Sequence, residues 1–381
     1  MVRRGDEERI LELRGDGALE RVAEARALVD AGAAGAHMRA RALLTESDPL
    51  DRELAARILG EIAADGARGA VRATEDLATL VAGDEDVVVL EAALAALGRL
   101  WDATPARDGL VGLVGHPSYI VRWRLPEALV SAHHAGDTEL EAAIAGLASD
   151  ERAIVRREAV RAVGTLPQPW VPASEATLAS ALHDPDDAVI VAALWALARG
   201  RRPLPPGVAG ALLTPARLGA LTSGVAERLL EAVALAADRS AYAPLEALGT
   251  AWTAGDAELQ RTLTAALAWC APQEWAPSDG DEPGFDRRLA RWLMGKTVLV
   301  GLTYVSAVGD PLGRRQLHGV VTRCDERLVA LAVPGRDEEF TLPPDTRAFR
   351  YAPAGRYRMR DTGLVVEDPD AECAWTVTEG D

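Results

Sequence analysis

Val155-Arg156-Arg157-Glu158-Ala159-Val160-Arg161-Ala162-Val163-Gly164 carries apolar residues at its first, fifth and ninth places. A spacing of four residues places Val155, Ala159 and Val163 on one face of a helix. Two other stretches have the same form. Val121-Arg122-Trp123-Arg124-Leu125-Pro126-Glu127-Ala128-Leu129 precedes it, and Val189-Ile190-Val191-Ala192-Ala193-Leu194-Trp195-Ala196-Leu197 follows it. Their first valines, 121, 155 and 189, are 34 residues apart each time. Further copies anchor at Asp51, Val89, Val225 and Leu259, giving successive gaps of 38, 32, 34, 34, 36 and 34 residues.

Turn and cap residues precede many of these segments: Asp48-Pro49, His116-Pro117-Ser118, Ser149-Asp150, Asp184-Pro185-Asp186 and Gly255-Asp256. Asp or Ser ahead of a helix accepts its orphan N–H groups, and Pro in the first turn lacks only a donor that would be unpaired there. Shorter apolar segments, such as 139–147 and 176–182, lie between the anchored helices. Each unit is therefore a pair of helices that cannot bury its own apolar face. Stacking against neighbours buries it.

The repeat resembles the bacterial HEAT-repeat (HEAT-like or armadillo-type) family over roughly residues 45 to 270. The signature D-P-x-x-x-V-R-x-x-A-x-x-x-L-G is closest in Asp48 to Gly60, shortened, and in Asp150 to Gly164, without the Pro. The resemblance implies a right-handed α-solenoid, with an Asp–Arg ladder between repeats that serves as scaffold. Arg52, Arg122 and Arg156 match the Arg position, whereas Leu90, Ile190, Ala226 and Gln260 do not. Some HEAT proteins are hydroxylases with His-Glu iron ligands, and no His-Glu dipeptide occurs here. Others resemble phycobilin lyases.

The pattern changes after Ala271. Residues 272–284 are rich in Pro, Asp, Glu and Gly and read as a linker, followed by a short helix over 285–294. Thr297–Val305, Gln316–Thr322 and Leu328–Val333 then read as strands, with a turn at Gly309–Gly313. Glu338–Asp345, Tyr357–Met359, Leu364–Val366 and Trp375–Val377 continue the series. Many short strands suggest a small all-β barrel or sandwich. This part resembles an uncharacterised bacterial β module with a Glu-Glu-Phe-Thr-Leu-Pro-Pro-Asp motif, which implies no activity. The expected organisation is capping helices over 1–45, a repeat array over 46–271, linker and short helix over 272–295, and the β domain over 296–381.

Composition narrows the function. The 381 residues carry a net charge of −17, and hydrophobic residues make up 49% of the chain, as in a folded globular protein. Such acidity opposes nucleic acid as the ligand and suits a basic protein partner; it also keeps a monomer soluble. The single lysine, Lys296, and the lack of Asn beside abundant Arg and Ala point to a high-GC bacterial gene. The N-terminus has no apolar signal core, and no run is long enough to span a membrane. A cytoplasmic protein with three reduced cysteines is expected.

No chemistry-bearing motif emerges, so no catalytic residue, metal or cofactor is expected. Gly295-Lys296-Thr297 lacks the earlier glycine of a phosphate-binding loop, which would fall at Ala290, and it joins helix to strand rather than strand to helix. His133-His134 reads as a solvated loop pair rather than metal ligands. The second helix of each unit is expected to line the concave side, with places two and six after the anchor facing the groove. Trp123, Glu127, Arg157, Arg161 and Trp195 fall there in the middle of the array. Trp and Arg dominate binding hot spots. The competing reading has the tryptophans filling gaps between units and the arginines pairing with acids on the next helix. The expected function is a non-catalytic scaffold or adaptor holding a protein partner. An immunity-type protein that neutralises a basic toxin, or a lyase or chaperone-like enzyme that holds a small molecule, are the alternatives.

Overall fold

In the computed structural model, residues 16–64, 69–100, 102–134, 136–166, 170–200, 202–251, 257–272, 284–353, 355–360 and 362–378 are described. Residues 273–283 of the expected linker (272–284), the start at Gly255-Asp256 and the first residues of the expected cap lie outside them. The chain is mainly helical with a C-terminal β region, and it divides into two compact units, Met1–Gly200 and Arg201–Asp381.

The first unit comprises α1 (Asp16–Ala31), α2 (Ala33–Leu43), α3 (Pro49–Ala64), α4 (Ala70–Gly83), α5 (Val87–Leu97) and α6 (Arg107–Gly112). They are followed by α7 (Tyr119–Ala132), α8 (Thr138–Leu147), α9 (Ala153–Val163), α10 (Pro172–Ala181) and α11 (Asp187–Arg199). The anchored helices α3, α5, α7, α9 and α11 lie side by side in that order, and α4, α6, α8 and α10 form a second row against them. Sharing of apolar faces is nearly complete in the first row: Val121, Leu125, Leu129, Val155, Ala159, Val189, Ala193 and Leu194 are wholly buried. Three of the helix starts are capped where the sequence places caps, whereas α9, expected to start at Ser149-Asp150, begins after Arg152 without a side-chain cap. Asp48 accepts from the Leu50 N–H at 2.9 Å, Ser118 from Ile120 at 3.3 Å and Asp186 from Ala188 at 2.9 Å.

The three matching arginines form the ladder with one recurring geometry. Nε of Arg52, Arg122 and Arg156 donates to Asp84, Asp150 and Asp184 at 2.7, 2.6 and 2.7 Å. Nη1 of each reaches back to two carbonyls just ahead of its own helix: Glu46 and Ser47, His116 and Pro117, Asp150 and Glu151. The same aspartates accept the N–H two residues on, so each rung fixes the next turn as well. A further rung joins Arg107 to Asp137, at 2.5 Å from Nε. Its arginine sits on α6 in the second row, where the signature does not reach.

These rungs make stability pH-dependent. The Arg107 guanidinium holds the Asp137 carboxyl at about 2. For Asp150 and Asp184, burial pushes upward, but the guanidinium and backbone N–H bonds outweigh it and leave both below the ordinary range. A carboxyl depressed in the fold stabilises it above its unfolded pKa and ceases to do so as pH falls through the folded value. Stability should therefore hold down to roughly pH 4, the ordinary carboxylate range, and decline from there toward about 2, where Asp137 takes its proton. Urea midpoints measured by circular dichroism across that window check this; midpoints flat to pH 2 would contradict it.

The second unit holds α12 (Val208–Leu212), α13 (Pro215–Ala220), α14 (Ser223–Ala236), α15 (Tyr242–Ala251), α16 (Ala257–Cys270) and α17 (Arg287–Leu293). Its strands are β1 (Thr297–Val305), β2 (Pro311–Cys324), β3 (Val329–Ala332), β4 (Phe340–Leu342), β5 (Phe349–Tyr351), β6 (Arg356–Arg358), β7 (Val365–Glu367) and β8 (Ala371–Thr378). Helices α14 and α16 pack together, with α15 against α16. A six-stranded sheet runs β4-β3-β2-β1-β8-β5, and β6–β7 forms a separate two-stranded ribbon. β1 is antiparallel to β2 but parallel to β8. Val298, Val300 and Leu302 alternate into the core, where Leu293 of α17 joins them. The expected turn at 309–313 sits earlier. Gly309 takes φ of 90° and donates to Ser306, so β2 begins at Pro311 and is longer than its apolar pattern suggests.

Candidate functional site

The exposed stripe of the anchored row opens into a cavity of about 480 Å³ at α7, α9 and α11, walled by Trp123, Arg124, Glu127, Glu158, Arg161 and Arg199. Arg124 determines the environment of Trp123. Its guanidinium carbon lies 4.3 Å from the indole centroid, while Nε donates to Glu91 of α5 at 2.7 Å. That is a cation–π contact anchored by an ion pair. Glu127 is exposed and lies over the end of α5, where Gly98 leaves room; a Cβ at residue 98 would come within 2.8 Å of Glu127 Cγ. Glu158 holds both neighbouring arginines of its own helix, Arg157 at 2.8 Å and Arg161 at 2.9 Å.

Of the five residues picked from the sequence, Trp123, Glu127 and Arg161 line this cavity. Arg157 turns to Glu158, and Trp195 is half-buried without being part of the wall. Arg124, Glu158 and Arg199 take their places. The reason is helical geometry. Places two and three flank the same stripe about 100° apart, since a helix has about 3.6 residues per turn, and the packing of neighbouring units decides which edge opens. The lining residues run through places three, six and ten, as Arg124, Glu127 and Ser131 do on α7. A stripe continued by threes and fours from place six would have found them. Nor do the arginines pair with the next helix: Arg157 and Arg161 bond within α9, and Arg124 pairs back to α5.

A second polar group joins α7, α8 and α10. His133 at the end of α7 is not a solvated loop residue; its side chain is 3% exposed, because it closes over α8. Its Nε2 lies 3.2 Å from Glu141 Oε1, and Ser174 of α10 donates to Glu141 Oε2 at 3.0 Å. The hydroxyl and the imidazole thus share one carboxylate instead of bonding each other. Nucleophilic catalysis needs the base on the hydroxyl, so this arrangement ties three helices together. His134 is 62% exposed and approaches Asp137 at 3.9 Å. Burial pushes the thiols of Cys270, Cys324 and Cys373 up to about 12, which makes them poor nucleophiles. Among the described residues, no group of His, Cys, Asp and Glu could hold a metal ion, and no helix is long and apolar enough to cross a membrane.

No family model matches this chain, and no curated protein matches it. Among solved structures it is similar to the Escherichia coli protein YibA, with a TM-score of 0.49 and 18% identity over 67% of this chain and 89% of that one. It is also similar to computationally designed armadillo repeat proteins for modular peptide recognition, with a TM-score of 0.36 and 19% identity over 61% and 98% of the chains. Human deoxyhypusine hydroxylase gives a TM-score of 0.26 and 15% identity over 67% and 98%. Armadillo-type and HEAT-like repeat proteins are thus among the structures this chain is similar to.

Proposed function

We propose that the chain is a non-catalytic scaffold or adaptor that captures a protein partner on the exposed stripe of α7, α9 and α11. This reading takes the helix pairs as a right-handed HEAT-like stack with that stripe on its concave side. It takes the β region as a small barrel or sandwich, and the protein as a cytoplasmic monomer. One observation carries it. Along the row, acids on one helix pair with arginines on the next, Glu61 with Arg99 and Glu91 with Arg124, at 3.2 and 2.7 Å. At Glu127 that series stops: its carboxylate forms no ion pair among the described residues, and a cavity opens beside a tryptophan. A half-buried Trp and exposed Arg around a concavity, with an uncommitted acid, suit a polypeptide that carries basic groups. The net charge of −17 favours the approach of such a partner and disfavours nucleic acid.

The test uses Trp123→Ala combined with Glu127→Lys in the full chain, as bait in lysate of the native host with mass spectrometry of what is retained. The wild type should retain a partner that the double variant loses, with melting temperatures within a few degrees, as for surface substitutions. A large drop in melting temperature would instead make these residues part of the framework. Equal capture by both baits would move the site elsewhere.

A further inference from the structure

Within the second unit, a cavity of about 250 Å³ opens among Arg261 of α16, Trp292 of α17, Lys296, Tyr351 of β5, and Asp368 and Asp370 ahead of β8. Two polar groups in its wall have bonding capacity that the fold leaves unused. Tyr351 is 8% exposed, yet its hydroxyl forms no hydrogen bond among the described residues. The oxygen is not sealed off either, so it faces the space that the residue lines. Burial first, and then the Glu231 carboxylate, push the phenol upward, so it stays protonated as a donor. A hydroxyl withdrawn from water without a partner costs free energy. Asp368 accepts the Gly355 N–H on Oδ1 at 2.8 Å, and its carboxylate forms no ion pair among the described residues. The cations are held with donors to spare. Lys296, the only lysine of the chain, stands 5.2 Å from the Trp292 ring centroid and donates to Asp370 at 3.2 Å. An ammonium has three N–H donors, so others remain. Trp292 is itself fixed edge-on against Trp269, with ring centroids 5.4 Å apart. Arg261 pairs with Glu258, one turn back on its own helix.

We propose that this cavity binds a free α-amino acid with an apolar side chain. Its carboxylate takes the spare donors of Lys296 and the Tyr351 hydroxyl, and its ammonium takes the uncommitted oxygen of Asp368. Hydrogen bonds between ionised partners are the strong ones. Trp292, Ala265 and Pro369 supply apolar wall for the side chain. Charge favours a zwitterion over either half of it. The net charge of −17 opposes a free anion, and the cations Lys296 and Arg261 in the wall oppose a free cation. Size limits the ligand. A dry cavity of about 150 Å³ holds benzene, so this one has room for a side chain of that bulk and the charged head, but not for a peptide. The site lies in the second unit and is independent of partner capture on the first.

Leucine and phenylalanine are the probes, titrated calorimetrically into the full chain. At least one should bind. Phenylpropionate and phenylethylamine each lack one charge of phenylalanine, as 4-methylpentanoate and isopentylamine do for leucine. Each should bind about tenfold more weakly than its parent, as loss of a hydrogen bond to a charged group implies. Tyr351→Phe removes only a hydroxyl that the fold does not bond, so it should weaken binding by a similar factor while melting as the wild type does. Asp368 has φ of 44°, a conformation that Asn also tolerates, so Asp368→Asn tests the ammonium contact without a backbone cost. No binding of either amino acid at millimolar concentration overturns the inference. So does an analogue without the ammonium or the carboxylate that binds as tightly as its parent, or an affinity indifferent to Tyr351→Phe. The analogues use the wild-type chain, so they decide the matter even where Asp368→Asn fails to fold.

Discussion

Asp184→Ala should lower the unfolding free energy by about 3 kcal/mol, as removal of one partner of a buried ion pair does. Asp184 performs two tasks. It accepts Arg156 Nε at 2.7 Å and Nη2 at 2.8 Å, and its Oδ1 accepts the Asp186 N–H at 2.8 Å. Alanine removes both, leaving a guanidinium whose side chain is only 14% exposed with carbonyl partners alone. Asp184→Asn keeps an acceptor for the N–H but not the charge, so its loss should be smaller. Arg161→Ala, on a side chain 64% exposed, serves as the contrast. A surface pair of that kind contributes a few tenths of a kcal/mol to about 1 kcal/mol. Chemical denaturation followed by circular dichroism measures all three. If Asp184→Ala proved no worse than Arg161→Ala, the ladder would be ornament rather than framework.

Gly164→Ala and Gly146→Ala should move stability in opposite directions. Both glycines have ordinary helical backbone, and replacing such a glycine by alanine removes freedom from the unfolded chain, worth up to about 1 kcal/mol. At Gly146 little opposes this gain, since a Cβ would find its nearest neighbour, Val114 Cγ1, at 3.9 Å. At Gly164 a Cβ would lie 2.7 Å from Ala196 Cβ and 2.9 Å from Ala196 Cα. The obstruction is backbone and the first side-chain carbon of α11, neither of which can rotate away. Separating α9 from α11 costs about 1–3 kcal/mol, the ordinary range for overpacking, and this exceeds the gain. Thermal melts of the two single variants decide the matter. A Gly164→Ala protein at least as stable as the wild type would mean that the two helices are free to separate.

The candidate site was half legible beforehand. Trp123, Glu127 and Arg161 follow from counting along the repeat, because a helical stripe is fixed by residue number once the core face is known. Arg124 and Glu158 lie one residue from the places chosen, on the other edge of the stripe. The burial of His133 against Glu141 joins α7 to α8 across a turn, which periodicity does not register.

What the sequence by itself determined is the set of elements and the reason they stack. Anchors spaced near 34 residues, caps such as Asp48 and Asp186, and ladder arginines at 52, 122 and 156 are local signals, each read within a turn or two of helix. Tertiary structure alone decided what those elements meet. The alternation in Thr297–Val305 marks a strand, but its place between antiparallel β2 and parallel β8 depends on pairing with Ala371–Thr378, some seventy residues away. Likewise, that β5 packs on α14 while the stripe at Glu127 stays open is set by which segment packs on which helix. Periodicity reports which face of an element is apolar; partner choice is a property of the whole folded chain.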